Sequence, residues 1–348
     1  MITVRLAGPE DAAAIAHVHV AGWQHFRGLV PDAYLDALDP VFYAGRWQER
    51  IIAPAHGVSN FTFVADDPPG EVIGFAHGCR EREAGDPTLG EVAAIYVLAS
   101  YRGHGAGRRL TVALASHLAS LGCRSLMIWV LTENHSARRF YEALGGRAAH
   151  ERIRPIGGAE LPETGYRWDD LRLLMRPVTL SPPDPAWASA LAEEGRRVAA
   201  ALGCDREAVE PIGSTSVPGL VAKPILDLMV GLPALPLTRE QILAAARLGY
   251  DFHGYAGIPG RQYFSRSEPH PTAQHPISAA HVHVTVHDSQ FWRDHLRFRD
   301  YLRSHPAAAA EYAALKQRVA AETDGNRIDY LAGKAEFIAG ILARAGGQ

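Results

Sequence analysis

Cysteine is scarce in this chain of 348 residues: Cys79, Cys123 and Cys204 are the three present, and no C-x-x-C occurs. That excludes a disulfide framework and a zinc knuckle, and it fits a reducing cytoplasm. Long apolar runs are missing too. No stretch reaches the roughly 18 residues a membrane helix needs. The opening MITVRLAGPEDAAAIA has no basic leader and no long apolar core, so it is not read as a signal peptide. Excess charge of one sign is also absent. A net charge of −3 gives no reason to expect nucleic acid or an anionic membrane as partner. What is present is ordinary globular material, 47% hydrophobic and 21% charged. Its length calls for two domains rather than one core.

One stretch, Gly90 to Leu121, organises the first half. Val92 to Leu98 read as a buried strand, with β-branched or aromatic residues at Val92, Ile95, Tyr96 and Val97. The turn Arg102-Gly103-His104-Gly105-Ala106-Gly107-Arg108 follows. Leu110, Leu114, Leu118 and Leu121 then form one apolar stripe of a helix. Alternating glycines let the backbone approach a ligand and adopt positive φ. The first amides of the helix have no intrahelical partner and sit at its positive end. A diphosphate fits there, with Arg102, Arg108 or Arg109 adding charge. The dinucleotide pattern G-x-G-x-x-G fails, because Arg108 occupies the last place when the count starts at Gly103. The Walker pattern fails for want of Lys-Ser/Thr. The plain alternative is a tight strand-to-helix turn without a ligand.

In order, residues 1–177 predict a strand, helices, three strands, a helix, a strand, a helix and two strands. The strands include Phe61–Ala65, Glu71–Cys79 and Ser125–Leu131. The closing pair is expected at Arg147–Ile153 and Tyr166–Met175. A second motif, Asn134-x-x-Ala137-x-x-Phe140-Tyr141-x-x-x-Gly145-Gly146, joins the R-x-x-G-x-G turn. In order and motifs, residues 1–177 resemble the GNAT N-acetyltransferases. The resemblance implies a mixed central sheet flanked by helices, acetyl-CoA as cofactor, and direct attack by a primary amine. It implies a bulged strand whose Ile95-Tyr96-Val97 backbone pairs with the pantetheine arm. Arg102, Gly103, His104, Gly105, Ala106, Gly107 and Arg108 would hold the diphosphate. Asn134 and Ala137 would contact the cofactor arm. Tyr141 would be the general acid, with Phe140 serving the core, and Glu91 the general base; His77 and Glu81 are weaker alternatives. An alkylammonium titrates near ~10, so a base or water wire is needed. Trp23, His25, Phe26, Tyr34, Trp47 and Tyr166, with Asp32, Asp36 or Glu163, would line the acceptor pocket. Aminoglycoside antibiotics, small amino acids, polyamines and peptide N-termini all stay open as acceptors. A homodimer is compatible with this reading.

Residues 178–185, dense in proline, read as a semi-rigid spacer. A second domain is expected over residues 186–348. Val209 to Val230 predict a strand, the small-residue turn at Gly213-Ser214, and a buried strand carrying Asp227. Such a turn can cradle a phosphate, and such an Asp can hold a divalent metal. With Ala280-His281-Val282-His283-Val284 and Phe298-Arg299-Asp300-Tyr301, residues 178–345 closely resemble the GrpB family, whose fold is nucleotidyltransferase-like. The cleft residues are then Gly213, Ser214, Lys223, Asp227, His281 and His283. Two departures weigh against two-metal transfer: Met229 stands where a second carboxylate is usual, and no acid lies on the later strand. His281, His283 and His287 are expected on one strand face. Neutral imidazoles suit Zn²⁺, with Asp227, or His270 and His275, completing a set. The plain reading is a polar cleft that binds an anionic small molecule with Lys223, Arg261 and Arg299, and no metal is assigned. The fold class is α/β (α+β) in both halves. Two competing functions stand beside acetyl transfer: an acyl-CoA sensor without turnover, and a nucleotide-handling activity in the second half.

Overall fold

Strand β1 (Thr3–Leu6) leads through a 3₁₀ turn into α1 (Ala12–Gln24), α2 (Asp32–Asp36) and α3 (Pro40–Ile52). Next come β2 (Phe61–Asp66), β3 (Val72–Arg80) and β4 (Leu89–Val97), then α4 (Ala106–Ser120), β5 (Ser125–Leu131) and α5 (His135–Ala143). A hairpin of β6 (Arg147–Ile156) and β7 (Ala159–Trp168) closes the first half. This computed structural model describes all residues except 53–59, 81–85, 175–177, 257, 267–278, 324–326 and 347–348. The chain divides into two units, Met1–Met175 and Arg176–Gln348.

In the first unit the strand order is β6-β7-β5-β4-β3-β2-β1, antiparallel throughout except for the parallel pair β4–β5. The last strand differs from expectation, spanning Ala159–Trp168 rather than Tyr166–Met175. The reason is Gly157-Gly158. Both take positive φ, 59° and 84°, and close a two-residue hairpin with Ile156 opposite Ala159. Two apolar layers cover the sheet. Leu110, Leu114 and Leu118 of α4 pack with Phe63, Leu126 and Trp168 on one face, and Ile15 and Val18 of α1 with Trp47 of α3 and Phe75 on the other. Arg5 is almost fully buried between Asp11 (2.6 Å) and Asp66 (2.7 Å), tying β1 to the start of α1 and to β2. A buried charge held by two carboxylates is satisfied, but removing either carboxylate leaves it uncompensated.

The second unit contains α6 (Ala186–Leu202), β8 (Val209–Ile212), β9 (Ile225–Leu232), α7 (Arg239–Arg247), β10 (Asp251–Phe252), β11 (Arg261–Arg266) and β12 (Ala279–Val286). Helices α8 (Gln290–Ser304), α9 (Pro306–Glu322), α10 (Arg327–Ala332) and α11 (Ala335–Gly346) follow. Its sheet runs β10-β11-β12-β9-β8, parallel only between β12 and β9. Helices α10 and α11 are separated at Gly333-Lys334, where glycine weakens helix continuity. The proline-rich stretch is more than a spacer. Ser181 exchanges both backbone hydrogen bonds with Ala222, and Val178 packs with Val319 and Tyr330. Glu194 on α6 is buried against Arg266 (2.8 and 2.9 Å) and accepts from the Tyr250 hydroxyl at 2.7 Å.

Candidate functional site

Strand β4 is paired with β5 over Leu89–Val92, and there the pairing stops. Its other edge stays paired with β3 through Val97, with a register shift that leaves Ala93 as an extra residue. A bulge of this kind bends the strand and interrupts the ladder. From Ala93 onward β4 is half-exposed or exposed rather than buried, which corrects the reading of Val92–Leu98 as buried throughout. The outcome is an opening in the ladder between β4 and β5, with the main chain of Ala93–Val97 along one side. An extended ligand can add to such an edge as a strand does.

At the end of that edge the chain turns into α4. Arg102, Gly103, His104 and Gly105 are all exposed. Gly103 (φ 80°) and Gly105 (φ 89°) adopt the left-handed conformation, with open space where a side chain would project. Gly107 is different. It lies inside the helix, and a Cβ there would meet the Phe140 ring at 3.1 Å, so it closes α4 against α5. Two glycines, not three, therefore shape the turn. Arg102 Nε donates to the Val97 carbonyl (3.2 Å), and His104 Nδ1 lies 3.0 Å from the Arg102 carbonyl. The first amides of α4, at Ala106, Gly107 and Arg108, point into this turn by helix geometry. An anionic group fits here on observed grounds: exposed left-handed glycines, open space, a helix start and flanking arginines.

Across the opening, Asn134 caps α5, its Oδ1 accepting from the Ala137 amide at 3.1 Å. Tyr141 is buried at 5% exposure, while Phe140 is only partly buried. This reverses the expected division of labour between the two rings. Tyr141 packs between Phe140, Tyr166 and Trp168 at 5.4, 5.7 and 6.2 Å. Burial pushes its hydroxyl well above the usual tyrosine range, with the nearby Tyr96 adding to the shift. Tyr96 projects on the opposite face, against His19 (5.3 Å) and Phe75 (5.6 Å).

Glu91 stands opposite Cys79 on β3 and Met127 on β5, half-buried, on the face covered by α1 and α3. Tyr141 lies on the other face, with the α4-side cluster. His77 is a core residue: it is buried, with Nδ1 2.9 Å from Thr62 Oγ1 and its ring 5.3 Å from Trp47. Glu81 lies outside the described residues.

Of the expected acceptor residues, Trp23, Phe26 and Tyr34 cluster together. Trp47 is core. Tyr166 is excluded from that side. Alternation along β7 turns it toward α5, where it hydrogen-bonds Glu142 and accepts from Arg138 Nε (3.1 Å). Asp32 and Asp36 pair with Arg27 in solvent, and His25 is exposed. Glu163 is buried and bound by Arg152 (2.8 Å) and Arg154 (3.5 Å). Sequence reasoning missed His19. It accepts from Trp23 Nε1 at 2.8 Å, its other nitrogen faces Trp47 Nε1 at 3.2 Å, and burial followed by the Arg50 charge lowers it to about 4. The i, i+4 spacing of His19 and Trp23 on α1 was the available signal.

In the second unit Gly213 begins the turn with φ 67°, and a Cβ there would come 2.5 Å from Asp227 Oδ2. Asp227 hydrogen-bonds His281 Nδ1 at 3.0 Å, its register partner on β12. Burial opposes its ionisation, but the His281 bond and the charges of His281, Lys223 and His283 prevail and hold it down to about 2. His283 shares the face, and burial pushes it well below its usual range. His287 does not belong to this face. The strand ends at Val286, and the His287 ring lies 4.8 Å from Trp292. His270 and His275 lie outside the described residues, among which no group of three or more metal-ligating side chains gathers. Arg261 donates to the Tyr255 and Ala256 carbonyls while its Nη1 stands 3.5 Å from His283 Nδ1, and Arg299 is bound by Glu210 (2.6 Å) and Asp300 (2.7 Å).

Known proteins match the same division. The acetyltransferase (GNAT) family model matches residues 23–146, and the GrpB protein model residues 177–344. The chain is 36% identical over 175 residues to the uncharacterized N-acetyltransferase YuaI of Bacillus subtilis, covering 50% of this chain and 96% of that protein. It is 34% identical over 184 residues to the UPF0157 protein PA4798 of Pseudomonas aeruginosa, covering 52% of this chain and 72% of that protein. Against the UPF0157 protein YqkA of Bacillus subtilis identity is 36% over 152 residues, 44% of this chain, and the match spans 42% of YqkA's length. Both units are mixed α/β folds. The chain belongs to the GNAT acetyltransferase family through its first half and to the GrpB family through its second. Among the described residues no helix is long and apolar enough to cross a membrane.

Proposed function

We propose that residues 1–177 transfer an acetyl group from acetyl-CoA to a primary amine of a small molecule, with residues 178–345 as an accessory domain. The observation that carries this is the opening beside β4: pairing with β5 ends at Val92, and the free edge leads directly to the Gly103–Gly105 turn. Acetyl-CoA supplies the activated thioester. In this reading the turn and the first amides of α4, with Arg102 and Arg108, hold the diphosphate. The Ile95–Val97 backbone pairs with the extended arm, and the Asn134 amide nitrogen and Ala137 border it. Glu91 takes a proton from the amine through water, on the α1 and α3 face. Tyr141 gives a proton to the departing sulfur from the other side of the opening. Burial keeps that phenol protonated, the form an acid needs, and equally disfavours a bare thiolate beside it. The aromatic cluster of Trp23, Phe26 and Tyr34, with buried Glu163, borders the acceptor. Aromatic faces suit a cationic amine before it loses its proton.

Free-thiol release from acetyl-CoA tests this, measured over aminoglycosides, small amino acids, polyamines and peptides with free N-termini. The expected result is amine-dependent release by the full chain and by residues 1–177. Acetyl-CoA binding without release on any amine would replace the transferase reading with a sensor.

A further inference from the structure

We propose that His19 of α1 and the Trp23 indole one turn further on receive a carboxylate of the acceptor, so that the amine acetylated belongs to a small amino acid. The proposal rests on the acetyl-transfer reading above and names its substrate class. The observation behind it is a count of hydrogens. His19 Nε2 lies 2.8 Å from Trp23 Nε1, and His19 Nδ1 lies 3.2 Å from Trp47 Nε1. An indole nitrogen only donates, and a neutral imidazole has one bare nitrogen and one N–H. Three hydrogens therefore compete for one lone pair. Protonation would make the conflict worse, because both ring nitrogens would then donate. Burial and the positive charge of Arg50 oppose it.

The two tautomers differ in where the conflict falls. With Nε2 accepting from Trp23, the Nδ1–H faces the N–H of Trp47. That tryptophan is 1% exposed and has no other acceptor among the described residues. A buried donor left in this way is destabilising. With Nδ1 accepting from Trp47 instead, the interior is satisfied. His19 Nε2–H and Trp23 Nε1–H are then two donors side by side, on residues that are only half-buried. Nitrogens 2.8 Å apart leave one oxygen within hydrogen-bond reach of both. Such an oxygen accepts twice and removes the conflict.

An ionised oxygen suits the position, since hydrogen bonds to a charged acceptor are the stronger ones. The charge that bears on His19, that of Arg50, is positive, and the Arg50 guanidinium lies 4.9 Å over the Trp47 ring. Two neutral donors and one nearby arginine match a single negative charge better than a phosphate dianion. The place is also next to the reaction. Tyr96, on the part of β4 that has left β5, has its ring 5.3 Å from His19. A carboxylate held here keeps an amine one or two carbons away beside the β4 edge. Polyamines and aminoglycosides carry no carboxylate, and a peptide presents a neutral amide at that distance from its amine.

Free-thiol release by the full chain, measured with each common α-amino acid and with its α-carboxamide, tests the proposal. The expected result is a kcat/KM about tenfold or more higher for the acid of the preferred pair. Trp23→Phe keeps a ring and removes the N–H. It should raise KM for the amino acid about tenfold and leave KM for the carboxamide and for acetyl-CoA unchanged. Equal kcat/KM for acid and amide, release with polyamines or aminoglycosides alone, or a preference that Trp23→Phe leaves intact would overturn the proposal while acetyl transfer stands. If no amine causes release, the transfer reading itself fails, and the imidazole nitrogen resonances of the full chain then decide. A shift of the His19 proton from Nδ1 to Nε2 on adding an amino acid would uphold the subsite, and no change with any of them would overturn it.

Discussion

Phe140 and Tyr141 are neighbours of almost the same shape, but Tyr141 alone of the two carries a hydroxyl able to give a proton, and it is the more buried. The Tyr141 ring sits inside the aromatic packing. Tyr141→Phe should therefore leave the melting temperature nearly unchanged while kcat falls by about 10²-fold or more, the usual worth of a general acid. A melting loss without a rate loss would make Tyr141 a packing residue. Lys316 offers a test in pH. Its folded value of about 7 lies below the unfolded ~10.4. Below pH 7 both states hold the proton and the burial penalty is complete. From there up to about 10 the folded state releases its proton first, so stability rises with pH. Urea midpoints should follow that rise, and Lys316→Met should flatten it in part, Lys334 supplying the remainder. At this scale the sequence was legible where a residue acts through its local backbone, as at Gly105 and Asn134. It was not legible where partners are far apart: Glu194 meets Arg266, and Lys316 meets Ser214, only once the sheet is assembled.

Helix α5 shows the same division one level up. Asn134 both caps it and borders the opening. Asn134→Ala should cost about 1 kcal/mol, the ordinary worth of an N-cap. Asn134→Ser restores the cap without the amide donor, so it should recover the melting temperature but not the KM for acetyl-CoA. If serine recovers both, Asn134 is a cap alone. Periodicity was sufficient to predict Ser125–Leu131 and the helix after Asn134, because apolar spacing and capping are local signals. The final strand lies at Ala159–Trp168 rather than Tyr166–Met175 because Gly157-Gly158 makes a hairpin turn, for which two adjacent glycines are a strong signal. The end of pairing between β4 and β5, which makes the opening, has no signature in composition. It depends on the register of three strands and on one extra residue, Ala93.

Each unit of the whole molecule has its own apolar clusters, those of Val4, Leu110 and Trp168 in the first and of Leu220, Tyr312 and Ile341 in the second. Residues 1–177 are accordingly expected to fold alone, with one cooperative melting transition and the same affinity for acetyl-CoA as the full chain. Loss of folding in that fragment would show that the second half completes it. Length and the proline-rich stretch are the sequence features that point to more than one unit. The role of that stretch was not readable, since Ser181 is pinned to Ala222 across a distance in sequence that spacing alone does not reveal. The central claim is that the turn at Gly103–Gly105 holds acetyl-CoA. Its most direct test is calorimetric titration of acetyl-CoA into the full chain and into Gly105→Asp, which places a carboxylate at an exposed residue of φ 89°. Single-site binding, weakened at least tenfold by the substitution, is the predicted result; no binding, or an affinity the substitution leaves unchanged, would contradict it.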